Sequence, residues 1–397
     1  MSPARTYLDH AATTPALPEV IGAVAEEMAR LGNPSSLHHA GRSARRRVEE
    51  QRERLAAAVG ARPSEVVFTA GGTEADNLAV KGLFWARRHA DPRRTRVLAS
   101  AVEHHAVLDP VLWLVQAQGA EVEWLPVDSS GRVHPEVVEA AIAGDPAGVA
   151  LVTVMWANNE VGTVMPIGEI SAICHRYDVP LHCDAVQVLG QRPLDFSAAG
   201  PDAVALSGHK FGGPMGVGAL LVRADLDLVP VLHGGGQERG VRSGTLDVAS
   251  IAGFALAAER AAQEQPGRSS RMAALRDDLV RRVLDAVPDA HLNGEADPQR
   301  RLPGNAHLSF PGCDADALLM LLDAAGVECS TGSACSAGVP EPSHVMLAMG
   351  AAEASTSSLR FSLGHCSTPA DVDALLEALP SAVDRARAAG RLTLRGA

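Results

Sequence analysis

Hydrophobic positions in the first two-thirds of the chain fall into short, almost unbroken runs separated by stretches of helical period. The runs are Val66–Ala70, Val97–Ser100, Val122–Val127, Val149–Ala157, Leu181–Val186, Ala203–Ser207 and Ala219–Val222. They are rich in Val and Leu and hardly alternate with polar residues, the pattern of strands buried on both faces. Helical spacing fills intervals such as Ala75–His89, Ala106–Gln118 and Ile167–Tyr177. Strand–helix alternation of this kind predicts an α/β fold, a mostly parallel seven-stranded sheet with helices on both sides. Ligands of such sheets sit outside the carboxyl ends of the strands, so the residues just after each run matter most.

A polar stretch over residues 263–270 (QEQPGRSS) reads as a boundary. Beyond it the pattern predicts a helix near Met272–Ala286, an alternating strand at Ala306–Phe310 and a helix at Asp314–Ala325. A strand near Ser358–Leu363 and a closing helix from Pro369 to Ala388 complete a smaller α+β unit. The expected division is a large domain over 16–262 and a small domain over 263–397 that also takes in residues 1–15. Residues 41–54 (GRSARRRVEEQRER) look basic, but Arg45–Glu49, Arg46–Glu50 and Glu50–Arg54 are i,i+4 pairs, which predicts a solvated helix face instead of a polyanion site.

Composition narrows the function. The 397 residues are 46% hydrophobic, which excludes disorder, and no long uncharged apolar run suggests a membrane span. A formal net charge of −12 argues against nucleic acid or anionic lipid as the main partner. No export signal opens the chain, and six cysteines without a C-x-x-C pair read as reduced thiols of a cytoplasmic protein. Histidine pairs at 38–39 and 104–105 lack zinc spacing, so no metal is expected. Of 35 basic residues 33 are Arg, leaving Lys81 and Lys210 as the only side-chain amines.

Three strand ends carry candidate chemistry. Gly71-Gly72-Thr73-Glu74 follows the first run and opens a helix, a place where backbone N–H groups can meet an anion, although a ligand-free tight turn has the same sequence. It is not a Walker A loop, since no G-x-x-x-x-G-K-[ST] occurs. Lys210 follows a buried run within Ser207-Gly208-His209-Lys210-Phe211-Gly212-Gly213, where partial desolvation would favour Schiff-base chemistry; Lys81 lies inside a helical pattern and reads as a surface residue. Asp184 stands at the end of the strand Leu181-His182-Cys183-Asp184-Ala185, with Gln187 three residues on, and a carboxylate there needs a partner. A phosphate donor, a partner for a pyridinium nitrogen and a Schiff-base amine together are what pyridoxal phosphate requires.

At this point the chain resembles the cysteine desulfurases of the class V aminotransferase family. The matching segments are 7–15 (YLDHAATTP), 32–36 (GNPSS), 71–77, 102–107 (VEHHAV), 158–162 (NNEVG), 207–210 (SGHK), 234–245 (GGGQERGVRSGT), 332–336 (GSACS) and 358–362 (SLRFS). The resemblance implies a fold-type I pyridoxal 5'-phosphate enzyme. It implies that Lys210 holds the cofactor, that His104 stacks on its ring and moves protons, and that Asp184 pairs with the ring nitrogen. Gln187 and Asn159 would lie near the ring oxygen and the substrate, and Gly72, Thr73, Ser207 and His209 at the phosphate. Thr245 would reach the phosphate of the other subunit, giving a homodimer with shared sites. Arg360 would clamp the substrate carboxylate and Cys335 would be the nucleophile, carrying sulfur from L-cysteine as a persulfide to an acceptor protein. Cys329 could resolve that persulfide as a disulfide, whereas Cys174 and Cys183 read as core residues. Other class V activities remain open at this stage: a selenocysteine lyase, an aminotransferase or a racemase would share Lys210, Asp184 and Arg360 without needing Cys335.

Overall fold

The structure is a computed structural model that describes residues 5–332 and 342–393. The large sheet has all seven expected strands: β1 (Val66–Thr69), β2 (Arg96–Ser100), β3 (Glu121–Leu125), β4 (Val149–Thr153), β5 (Leu181–Asp184), β6 (Ala203–Ser207) and β7 (Gly218–Val222). Their spatial order is β1-β7-β6-β5-β4-β2-β3. Only β7 runs antiparallel to its two neighbours, so β1 points the same way as β6 and their carboxyl ends share one edge. Five of the seven (β1, β4, β5, β6 and β7) are buried at every position, which is why their sequences lack alternation.

The helices that position the site are α1 (His39–Ala58), α2 (Gly72–Ala90), α3 (His105–Gln118) and α4 (Ile167–Arg176). Helix α2 lies across β4, β5 and β6. Its start depends on two glycines. Gly71 has φ +151°, a conformation that L side chains rarely adopt. Gly218 opens β7 so close to Gly71 that a Cβ on it would stand 2.8 Å from the Gly71 Cα.

The polar stretch at 263–270 is not a break. It lies inside α5 (Val248–Ala286), a single helix of 39 residues that carries Pro266 in its interior. Its polar side chains have protein partners: Gln265 Nε2 and Ser269 Oγ both donate to the Gln191 carbonyl, at 3.4 and 2.5 Å, and Arg268 pairs with Glu264 at 2.8 Å. These contacts hold a helix where local composition suggests a linker, despite the cost of an interior proline. Beyond it come β8 (His291–Leu292), β9 (Asn305–Ser309), α6 (Ala315–Ala324), β10 (Ser358–Ser362) and α7 (Pro369–Thr393). The antiparallel sheet of these strands has the order β10-β9-β8. The polar positions of β9 are buried as well, with Asn293 Nδ2 against His307 Nδ1 at 3.0 Å and donating to Ser309 Oγ at 2.7 Å.

Two main apolar cores result. One surrounds the large sheet and takes Ala257, Ala258 and Ala261 from α5; the other groups Leu8, Leu308, Phe310, Phe361 and Leu375 with Leu279 and Val283 from the far end of the same helix.

The basic helix α1 also departs from expectation. Arg46–Glu50 is an exposed pair at 3.5 Å, but Arg45 donates to the Pro34 carbonyl and Arg54 to Gln51. Arg52 is buried, with Nη2 2.6 Å from Glu238, whose other oxygen accepts the Phe68 N–H at 2.8 Å. Tertiary contact, which helical spacing does not report, turns this part of the face inward. Glu238→Ala would leave the buried guanidinium paired only with the more exposed Glu49 carboxylate, 3.1 Å from its Nε, and would strip the Phe68 N–H of its acceptor; the expected loss is about 3 kcal/mol of unfolding free energy, read by denaturant titration.

Candidate active site

The carboxyl ends of the large sheet open onto a cleft of about 1050 Å³. It is lined from β1 by Gly71, Gly72 and Thr73, from β2 by His104, from β4 by Asn159, from β5 by Asp184 and Gln187, and from β6 by Ser207, His209 and Lys210. Arg360 of β10 closes it from the small sheet. Eleven sequence-selected residues from six strands and their following turns therefore meet in one cavity, while Lys81 lies apart with its Nζ 4.6 Å from the Trp113 ring centroid.

Lys210 sits in a one-turn helix just after β6. Its Nζ donates to the carbonyls of Ala11 (2.6 Å) and Ala12 (2.9 Å). Burial, reinforced by the Arg360 charge, pushes the amine down to about 8. The Ala11 carbonyl also accepts from Gln187 Nε2 at 3.0 Å, so the N-terminal segment ties the amine to the β5 turn.

Asp184 is buried and accepts the Val186 N–H at 2.9 Å. Burial raises its carboxyl, opposed by His104, the Val186 N–H and Lys210. His104 caps α3, its Nδ1 accepting the Ala106 N–H at 3.0 Å, which assigns any ring proton of the neutral form to Nε2. Burial holds the imidazole below its usual range. His209 Nδ1 lies 3.3 Å from Thr13 Oγ1, and burial followed by the Lys210 charge lowers His209 to about 4.

Arg360 is buried and already engaged: Nη2 meets Asp9 Oδ1 at 2.8 Å and Nη1 donates to the Asn159 carbonyl at 2.9 Å. These two contacts hold the guanidinium at the cleft, and its Nε has no partner among the described residues. Thr245 is exposed and does not line this cleft. Cys335 belongs to residues 333–341 and lies outside the described residues; Gly332 and His344, on either side of that segment, line the cleft. Cys329 is mostly buried and pushed up to about 12 by that burial, a protonated thiol at neutral pH. Cys174 and Cys183 are core residues, both fully buried.

Several residues that shape the site escaped sequence reasoning although they stand inside the quoted segments. Asp9 holds Arg360. Glu160 accepts the Ser343 hydroxyl at 2.5 Å, tying the β4 turn to the chain just after residues 333–341. Asp76 and Glu103 are buried carboxyls close to Asp184. An acidic residue among helical or loop positions normally reads as solvated, and only its burial marks it.

A family model of class-V aminotransferases matches residues 6–375. The chain belongs to the class-V aminotransferase family. Among curated members it is 59% identical over 384 residues to an IscS-like cysteine desulfurase of Mycobacterium tuberculosis, covering 96% of this chain and 97% of that one. It is 42% identical to a cysteine desulfurase IscS of Dictyoglomus turgidum, with 96% and 95% of the two chains covered. Among solved structures a NifS-like protein superposes with a TM-score of 0.87 at 33% identity, over 96% of this chain and all of that one.

Class-V aminotransferases of the NifS and IscS type depend on pyridoxal phosphate, and the residues present fit it. The amine of Lys210, shifted toward neutrality, and the Asp184 carboxyl face one cleft. Beside them the Gly71 turn leaves open space where a Cβ would stand, at the N-terminus of α2.

Proposed function

We propose that the protein is a pyridoxal-phosphate-dependent cysteine desulfurase that converts L-cysteine to L-alanine and passes the sulfur, through a persulfide on Cys335, to an acceptor protein. The observation that carries this reading is the convergence of Lys210, Asp184 and Arg360 on one cleft with the Gly71–Thr73 turn. Full-length similarity to cysteine desulfurases supports the choice of substrate.

The roles follow from the chemistry of each group. Lys210, Asp184, His104, Gln187 and the hydroxyl and imidazole groups of Thr73, Ser207 and His209 hold the cofactor, with Gly72 allowing close approach. When bound, the cofactor supplies an electron sink that acidifies the substrate Cα–H. Arg360 orients the substrate by its carboxylate, helped by Asn159, in a forked pairing suited to a planar guanidinium. Lys210 takes the Cα proton, its lowered basicity matching that task near neutral pH. His104 exchanges a proton through Nε2. The Cys335 thiolate attacks the substrate sulfur: an S–S bond forms, the C–S bond breaks with its electron pair left on carbon, and the carbon fragment takes one proton at Cβ and regains one at Cα to become alanine.

The same reading includes a homodimer in which Thr245 of each subunit completes the phosphate site of the other. It also includes the division into domains at residues 16–262 and 263–397 (with 1–15), now with α5 common to both, and residence in the cytoplasm. Free thiols at all five described cysteines agree with a reducing compartment, and among the described residues no helix is long and apolar enough to cross a membrane.

Borohydride reduction of the cofactor-loaded protein followed by peptide mapping is expected to place the label on Lys210. Turnover of L-cysteine should yield alanine and persulfide sulfur in equal amounts. Label on Lys81, or turnover with selenocysteine only, would refute the reading.

A further inference from the structure

Beneath Asp184 lies a second acidic group that the proposed chemistry does not use. Thr153 on β4 is paired in register with His182 on β5, and His182 and Asp184, two residues apart on one strand, share a face of the sheet. Helix α2 packs over that face and inserts Asp76 from its second turn. Asp76 is 1% exposed and His182 fully buried. Asp76 Oδ1 lies 3.3 Å from His182 Nε2, and His182 Nδ1 lies 2.9 Å from Thr153 Oγ1. In that arrangement the pair does not form a hydrogen bond from an Nε2–H to the carboxylate, and neither carboxyl oxygen of Asp76 nor His182 Nε2 has a hydrogen-bond partner among the described residues. A buried polar pair in this position must share a proton or leave both groups unsatisfied.

The location of that proton follows from what surrounds it. The charged and titratable groups facing Asp76 are His182 and Asp184 from β5 and Glu103 from the turn after β2; none is an Arg or Lys. Burial and the two neighbouring carboxyls all oppose a negative charge on Asp76, and nothing offsets them. Glu103 accepts one N–H, from Met155 at 2.6 Å, and its second oxygen is unpartnered. Asp184 alone faces His104 and Lys210. His182, held low at about 3 by burial, stays neutral.

We propose that Asp76 is a positioning residue held in its protonated form, donating its O–H to His182 Nε2 while His182 Nδ1–H donates to Thr153, so that Asp184 is the one ionised member of a three-carboxyl cluster. The consequence, which rests on the proposed function, is that the full negative charge stands where the cofactor's ring nitrogen is to be held.

The test begins with the cofactor-free wild-type protein, so it does not depend on activity. With ¹⁵N-labelled histidine, His182 Nε2 should be the unprotonated nitrogen near neutral pH; a protonated Nε2 overturns the proposal even if no variant folds. Infrared difference spectra between wild type and Asp76→Asn should show loss of a protonated-carboxyl C=O band, and identical spectra overturn it too. In the loaded protein Asp76→Asn, a neutral isostere with a donor, should keep cofactor affinity within about threefold and leave the pH midpoint of the cofactor absorbance unmoved. Asp76→Ala should weaken affinity about tenfold. A folded Asp76→Asn as defective as Asp76→Ala, or a midpoint displaced by a full pH unit, refutes the neutral-donor assignment. Failure of the wild type to bind the cofactor would instead count against the proposed function and leave the nitrogen and infrared results standing.

Discussion

Lys210→Ala is expected to lower alanine formation from L-cysteine about a thousandfold or more, the scale of losing a positioned general base together with the group that anchors the cofactor. The cofactor should wash out on gel filtration, where the wild type keeps its visible absorbance. Lys81→Ala serves as the control and should leave both properties unchanged, because its amine lies on Trp113 away from the cleft. The wild type should also show a directional pH dependence. Burial lowers the Lys210 amine to about 8, so its neutral form is scarce below that pH and dominant above it. Loading of the cofactor-free protein requires that neutral form, so its rate should rise with pH through about 8 and level off beyond. A rate independent of pH between 6 and 9, or full activity in Lys210→Ala, would remove Lys210 from its role.

Cys335→Ala should separate binding from sulfur transfer. The variant is expected to load cofactor normally and to keep the spectral response to L-cysteine, since Lys210, Asp184 and Arg360 are untouched. Persulfide on the protein should disappear, and sulfide release in the presence of dithiothreitol should fall about a thousandfold or more, as expected when a nucleophile acting in concert with a base is removed. Mass spectrometry of the alkylated wild type after brief exposure to cysteine should find the additional sulfur on Cys335 and not on Cys329, whose buried thiol is pushed up to about 12. Undiminished sulfide release by Cys335→Ala would point to one of the other class-V activities.

The fold was readable where burial is two-sided. Strands β4 and β6 contain no alternation because no face of them meets water, and a short Val- and Leu-rich run between helical patterns is the mark of such a strand. The cleft residues were readable for a related reason, since the carboxyl ends of a parallel sheet form one edge, where Asp184 ends a strand and Thr73 and Lys210 each follow one. Polar residues with remote partners were not. Arg52 looked solvated because Glu238 is 186 positions away, and the segment around Pro266 looked like a linker because its acceptor is the carbonyl of Gln191. Asp76 and Asp9 stood in plain view as acidic residues; their roles come from burial against other strands, which spacing along one helix or loop does not encode. Thr245 lies away from the cleft of its own chain, and its reading belongs to the assembly.

The helix α5 has a mechanical meaning. At about 1.5 Å of rise per residue its 39 residues form a rod of roughly 58 Å. One end is built into the core around the sheet that presents Lys210, and the other into the core of the strands that present Arg360. Arg360 and Lys210 thus reach the cleft from two different cores, with one continuous helix running through both. The spacing between Arg360 and the Lys210 amine is therefore set by how both cores pack along α5, and a substitution that shifts one core along the helix would change that spacing without touching either residue.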